Sequence, residues 1–582
     1  MRDRWITDWT PSERWPHYTR ANAGEVVPNP ASPLSVTYTW DNGICQGWRD
    51  GYIRTGNYAA DEWDQAHPEA TGFFGGYMYI NLSNVRMQGV RNPAVTVEQL
   101  DMAFFGDHPD VPPYTPDERD ERPDLLPAIA KNLEWVMSAT TWPEIDVEKE
   151  QTIALRRSRP ALESLDDGQL LERARTVQKM IDRLFLTHTI DSSGSGVAPG
   201  ILAAVGAAIG DPTVPMKLLS GLGDVDSAEP SYGLWELSRK VAASSLLTAE
   251  FDRGVAGILE RLGASTDPAA QAFLTEFGKF IADFGARGPN EYEVSAETWE
   301  TNPEMALAIL DRVRLQNEED SPAARVQRLV AERERVTAEV RAKVEATGNP
   351  DLPGQLEAAL VAGNQLIFRE RTKTNLIRAI HEARMVFREL GRRHAAAGHI
   401  ADSAHIFQLT DSELDSFVAD PASFKDELAS RYIEWRELWE LEPPFIIRDG
   451  KVPPLTEWAR KGDSNSAPAV AGTTIQGVPG CPGVVTGRAR VILDINSPAD
   501  LEPGEILIAP LTDPGWAPLF MSAGGVVVDV GGQISHAVIV SRELGLPCVV
   551  SATNATSTIK DGSIVEVNGD TGVVTVIEAA GS

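Results

Sequence analysis

One stretch of twenty residues constrains this chain more than any other: GGQISHAVIVSRELGLPCVV, residues 531–550. The β-branched run just before it, 526–530, reads as a buried strand. Gly531 and Gly532 allow backbone angles closed to other residues. Ser535 suits an N-cap, which places His536 in the first turn of a helix continuing through Ala537, Val538, Val540, Glu543 and Leu544. Gly545 suits a left-handed terminator, with Pro547 two residues beyond. The predicted unit is strand, glycine turn and helix, with a histidine at the helix mouth. Free N–H groups and the positive end of the helix dipole favour an anion there, a phosphate above all, and Gly531, Gly532 and Ser535 would cradle it. An imidazole with an ordinary pKa near ~6.5 is substantially neutral at neutral pH and can attack phosphorus. Arg542 lies about 240° further round the helix. It is expected to meet a partner domain or compensate the C-terminal dipole.

The rest of the chain changes character three times. Residues 1–122 are rich in Trp, Tyr, Gly, Asn and Pro, and read as loops and short extended pieces. Residues 123–442 carry helical periodicity, as at Leu170, Ala174, Val177, Ile181, Leu184 and His188, and at Leu376, Ile380, Ala383, Phe387, Leu390 and His394. Ser321-Pro322 begins a long charged helix reaching 346. Residues 443–474 are Pro-, Ser- and Gly-rich and read as a flexible linker. Residues 475–582 alternate short β-branched runs with Gly, Pro and Asp around one clear helix, a compact α/β unit. The predicted fold class is multidomain: a mostly helical domain followed by a C-terminal α/β domain.

Lys and Arg number 53 against 84 Asp and Glu, a net charge of −31, which disfavours nucleic acid and anionic membrane surfaces as partners. The apolar stretches around 200–210 and 524–530 are too short to span a bilayer, and the charged, Trp-bearing start does not read as a signal peptide. A soluble, cytoplasmic protein is expected. Cys45, Cys481 and Cys548 show no disulfide or zinc spacing. His399 and His405 fall in no metal-ligand pattern, so no metal site is expected. The run 194–210 is glycine-rich but lacks the lysine of a phosphate loop.

Four segments occur in order: VPGCPGVVTGRARV (478–491), PGEILIAPLTDPGWAPLF (503–520), the stretch 531–550 and KDGSIVEVNGDTGVV (560–574). Together they resemble the swivelling phosphohistidine domain of phosphoenolpyruvate-utilising enzymes, which include phosphoenolpyruvate synthase, pyruvate phosphate dikinase, rifampin phosphotransferase and phenylphosphate synthase. The resemblance implies that His536 is the phosphorylated residue. Ile534 stands where some members carry Thr, which argues against regulation by phosphorylation there. Only 46 residues follow His536, whereas the barrel that binds phosphoenolpyruvate needs roughly 200 or more. That barrel is therefore not expected, nor is phosphoenolpyruvate as substrate. An ATP-grasp domain, which in this family precedes the histidine domain and is strand-rich, is not expected either, because residues 123–442 read as helical.

Residues 15–35, 74–85, 284–304 and 369–414 resemble the acceptor-binding region of rifampin phosphotransferase and phenylphosphate synthase-like members. The implied protein is an acceptor domain linked to a phosphohistidine shuttle. ATP and Mg²⁺ would sit on a separate ATP-grasp subunit, and a small aromatic or alcohol acceptor, phenol or a cresol, would be phosphorylated as ATP becomes AMP and Pi. The alternatives are a split rifamycin-type antibiotic phosphotransferase and a non-catalytic phosphorelay carrier. An exposed histidine and no pocket would mark the carrier. By the same resemblance Arg20 and Glu25, beside Asn22, and Arg287 and Glu291 are acceptor-site candidates, the arginines for phosphate and the glutamates for the acceptor hydroxyl. Surface ion pairs and turn caps are the competing reading. His188 and His394 are expected in the core. Trp40, Phe73, Phe74, Tyr77 and Tyr79 either line an acceptor pocket or pack the core.

Overall fold

The computed structural model describes residues 3–63, 69–93, 95–105, 111–223, 225–461, 468–493, 501–512, 516–532 and 535–581. Ile534 and residues 462–467 of the expected linker lie outside them. From residue 123 to Leu438 the described chain is helices and loops without a strand. The longest helix, Asn364–Ala396, packs against Asp167–Ser192 and Pro143–Arg157. The charged helix Pro322–Ala346 starts as its sequence indicates, with the Ser321 side chain accepting from the Ala324 N–H.

The first 122 residues differ from the loop-rich reading. Ser35–Ile44 and Cys45–Thr55 form one continuous helical run. Its glycines are there for close packing: a Cβ on Gly47 would lie 2.1 Å from the Asp182 carbonyl oxygen, and one on Gly51 would lie 2.6 Å from Thr189 Cβ. Spaced four apart, they let this run approach the helix Asp167–Ser192 closely. Strands Thr71–Phe74, Tyr77–Asn81, Tyr18–Thr19 and Ile446–Ile447 form a small antiparallel sheet in that order. Ile446–Ile447 belongs to the expected linker. The described part of that linker is therefore tied down, and Lys461 N–H still bonds to the Glu440 carbonyl.

The C-terminal region holds a mixed sheet, eight strands among the described residues. Val484–Val491, Ile506–Ala509, Gly525–Val528 and Cys548–Val550 run parallel at its centre, with antiparallel neighbours on both flanks. The strands Ile506–Ala509, Gly525–Val528 and Cys548–Val550 are buried throughout, as expected of parallel strands covered on both faces. On one face Leu507, Val526, Phe520 and Leu544 share an apolar core with helices of the body, through Leu234, Trp299 and Leu310. On the other, Ile506, Ile508 and Val527 pack beneath Ala555 and Ile559.

One helical run, Asp167–Ile209, has the length and apolar composition to cross a membrane, with mean hydropathy 1.4 in its best window. Of this run, the sequence reading weighed only the stretch around 200–210 as a possible span. In the fold the turn at 193–196 divides it, Asp167–Ser192 packs on Asn364–Ala396, and Val197–Ile209 packs on Leu352–Ala362.

Candidate active site

His536 opens the helix His536–Leu544, and Gly545 closes it in the left-handed conformation. Ser535 holds an extended N-cap backbone, but its side chain makes no capping bond and its Oγ has no partner among the described residues. The cap comes from the body instead: His536 N–H donates to Glu25 Oε2 at 3.4 Å. A carboxylate thus sits where the helix dipole favours an anion. A Cβ on Gly531 would meet Ser535 Oγ at 3.0 Å and Glu25 Oε1 at 3.5 Å, so this glycine lets the body approach the helix mouth. Gly532 accepts the Ser535 N–H.

The His536 ring is 7% exposed. Its Nδ1 lies 3.1 Å from Thr512 Oγ1, and Phe520 meets it edge-on. Its Nε2 is buried without a partner among the described residues. Burial, then the charges of Lys373, Arg287 and Arg369, hold the imidazole pKa well below the usual value, so the ring is neutral. Burial raises the Glu25 carboxyl to about 7, against the lowering effect of the His536 N–H, Arg369 and Lys373. Arg287 Nε pairs with Glu291 Oε1 at 3.0 Å, and burial raises the Glu291 carboxyl also.

Beyond these charges lies a cavity of about 530 Å³. Arg369 and Lys373 are on its wall, with Asn22, which donates to Glu25, and a largely apolar lining that includes Trp40, Trp48, Phe185 and Tyr292. Neither Arg369 nor Lys373 has an ion pair or a side-chain hydrogen bond among the described residues. Trp40 stacks on Tyr292 with ring centroids 5.6 Å apart.

Two stretches match family models: residues 188–362 match the rifampicin phosphotransferase fourth domain, and residues 501–572 match the PEP-utilising enzyme mobile domain. The chain thus carries a region like the fourth domain of rifampicin phosphotransferase and a PEP-utilising enzyme mobile domain. Among its relatives is an uncharacterized protein of Mycobacterium tuberculosis, 32% identical over 62% of this chain and 39% of the relative. The prodigiosin synthesizing transferase PigC of Serratia marcescens is 30% identical over 62% of this chain and 40% of its own. The rifampicin phosphotransferase of Bacillus subtilis is 36% identical over 36% of this chain and 23% of its own. The chain spans about two fifths of the length of the first two.

Within this architecture the positions named from sequence separate into two sets. Glu25, Arg287, Glu291, Ser535 and His536 converge on one place. Arg20 does not join them: it is buried under Met78, Val27 and Pro28, donating to all three carbonyls, with Tyr77 and Tyr79 at 5.1 and 5.7 Å. It holds the loop that presents Glu25. Arg542 lies in the last turn of its helix, where a cation compensates the dipole, and donates to the Gly480 carbonyl of its own sheet. His188 is on the cavity wall, bonded through Nδ1 to Thr372 Oγ1, with burial pushing its pKa down to about 3. His394 is a core residue, with Nε2 3.1 Å from Asp167 Oδ2 and Nδ1 against His399. Of the five aromatics, Trp40 reaches the cavity; Phe73, Phe74, Tyr77 and Tyr79 are packed in the body core. Arg369, Lys373 and Thr512 were not singled out from sequence. The first two had a signal: they extend the apolar stripe of Leu376, Ile380, Ala383 and Phe387 by helical spacing, an odd place for two cations on a buried face.

Proposed function

We propose that this chain is the phosphohistidine-carrying, acceptor-binding subunit of a phosphotransferase. One observation carries the reading: the partnerless Nε2 of a neutral, buried histidine sits among three cations, two of which line an apolar cavity. With Nδ1–H donating to Thr512 Oγ1, Nε2 keeps its lone pair and is the atom that bears the phosphoryl group. An acceptor hydroxyl in the cavity attacks phosphorus in line; the P–N bond breaks, a P–O bond forms, and Nε2 recovers its electron pair. Glu25, held near 7, takes the hydroxyl proton. Arg287, Arg369 and Lys373 stabilise charge on the transferring group, as positioning and electrostatics dominate this chemistry. ATP and Mg²⁺ belong, on this reading, to a separate ATP-grasp subunit, which loads His536 and releases AMP and Pi. The acceptor is a phenolic hydroxyl, of phenol or a cresol.

A second reading has one observation of its own. A cavity of about 530 Å³ is in the range used for drug-sized ligands, which favours a multi-ring acceptor of the rifamycin type. The carrier reading is disfavoured by the burial of His536 and the cavity beside it. The test is to incubate the chain and its ATP-grasp partner with ATP labelled in the β and γ phosphates, then add p-cresol or a rifamycin. Acid-labile label on His536 that chases into the aryl product is expected. No label on that ring, or full activity from His536→Ala in the same assembly, overturns the proposal.

A further inference from the structure

A second cavity, of about 860 Å³, opens on the other side of the segment 287–297, and nothing in the proposed transfer uses it. Tyr292 faces the cavity beside His536, whereas Pro289, Glu293 and Glu297 face this one. Along the helix Asn364–Ala396, Lys373 lines the first and Arg388 the second. At 1.5 Å per residue those positions are about 22 Å apart.

Most charges on this second wall are already satisfied. Both Glu293 carboxylate oxygens accept from Ser32 and Ser295. Arg159 is committed to Glu300 and Glu382, and Arg392 to Glu389. Arg388 is not: it is half-buried, makes no hydrogen bond or ion pair among the described residues, and feels Glu297 only at a distance. Nearby, Trp439 Nε1 is buried without an acceptor among the described residues. The rings of Tyr432, Trp435 and Trp439 line the same wall, with Arg436 lying over Trp439 at 4.8 Å. Arg436 likewise has no ion pair among the described residues but lies over a ring face, so flat aromatic faces beside the Arg388 guanidinium suit a planar ring carrying a carboxylate. Glu163, Glu297 and Glu389 on the rim repel a polyanion.

We infer that this cavity is a second ligand site, which binds a planar aromatic monoanion, a carboxylate, through Arg388 and the Trp435–Trp439 wall. The site is independent of the reading given to His536. Its occupant would touch the segment that carries Arg287 and Glu291, whose Glu291 and Glu293 carbonyls Arg384 fixes from the helix.

The test is calorimetric titration of the full chain with 2-naphthoate and its uncharged match, 2-naphthamide. Saturable binding of naphthoate at one site is expected, with naphthamide about tenfold or more weaker. Arg388→Ala should weaken naphthoate by a similar factor without lowering the melting temperature, since no partner is lost. Arg388→Lys should recover part of the affinity, and Lys373→Ala, in the other cavity, should leave it unchanged. The absence of naphthoate binding, equal binding of the amide, or loss in Lys373→Ala with Arg388→Ala unaffected would each overturn the inference. The acid–amide pair needs no variant, so misfolding cannot obscure the answer.

Discussion

Along the helix Asn364–Ala396, Glu370, Arg378, His381, Glu382 and Arg384 are all buried, and the last three are answered inside the body. Arg159 and Arg173 pair with Glu382, Glu300 meets His381 Nε2, and Arg384 donates to the carbonyls of the segment 287–297. The central strands of the C-terminal sheet bury almost nothing but Val, Ile, Leu, Ala and Cys, and that region's candidate nucleophile, with one unanswered nitrogen, stands at the rim. A buried charge network is costly to assemble and costly to break, and it holds groups in one geometry. The apolar sheet holds no such network: one face packs within its own region, and the other shares its core with the body. On the proposed function the body supplies positioning and the sheet supplies the carrier, with the site complete only where they meet.

The sharpest way to break that division is His536→Ala. In the reconstituted assembly it should abolish acid-labile label and lower acceptor phosphorylation by on the order of 10⁴-fold or more; residual transfer close to wild type would dissolve the carrier role. Lys373→Ala and Arg369→Ala separate the regions further. Each should lower kcat/KM for acceptor transfer by about 10²- to 10³-fold, while the partner subunit still loads His536 at the wild-type rate, as rapid-quench labelling would show.

Stability offers a third cut. Gly47→Ala forces a Cβ into the Asp182 carbonyl and should destabilise the body by about 2–4 kcal/mol. Calorimetry should show that transition shift while the C-terminal sheet melts as before.

The fourth is pH. In the docked arrangement Glu25 is raised to about 7 and His536 is lowered. Between ordinary carboxylate and imidazole pKa values, docking protonates one and deprotonates the other, and the two dependences cancel. From about 6.5 to 7 only Glu25 still takes up a proton, so docking weakens as pH rises, by less than about 1 kcal/mol. Glu25→Gln removes that term: docking should strengthen up to about 6.5 and then stay level, as interdomain fluorescence transfer across pH 5–8 would show. The smallest effect belongs to Arg312→Ala, which removes the half-exposed bridge to Glu502 at 2.9 Å across the same contact; a change in docking above about 1 kcal/mol would contradict the value expected for such pairs.

How far the sequence could be read follows from the same contrast. The strand, glycine turn and helix around His536 were legible because each junction has its own local chemistry, down to the left-handed Gly545. The long helices were legible from their apolar stripes. Residues 35–55 were not, because Gly43, Gly47 and Gly51 signal a loop to local rules and a close crossing only to a partner helix far along the chain. The Ser535 cap was placed correctly by backbone but not by hydrogen bond, since the cap arrives as Glu25 from 511 residues away. Arg20 was misassigned for a related reason: an arginine that binds carbonyls and one that binds phosphate look alike until the loop is folded.

The pairing of Ile446–Ile447 with Tyr18–Thr19 has a mechanical consequence. It fastens the departing chain to the sheet whose outgoing loop presents Glu25, and the next anchors are Lys461 on the body and Ala469 on the C-terminal unit. On the proposed function, a C-terminal unit that leaves the body to be loaded gains no slack from before Lys461 without breaking that bond, and none from before Ile447 without peeling a strand from its neighbour.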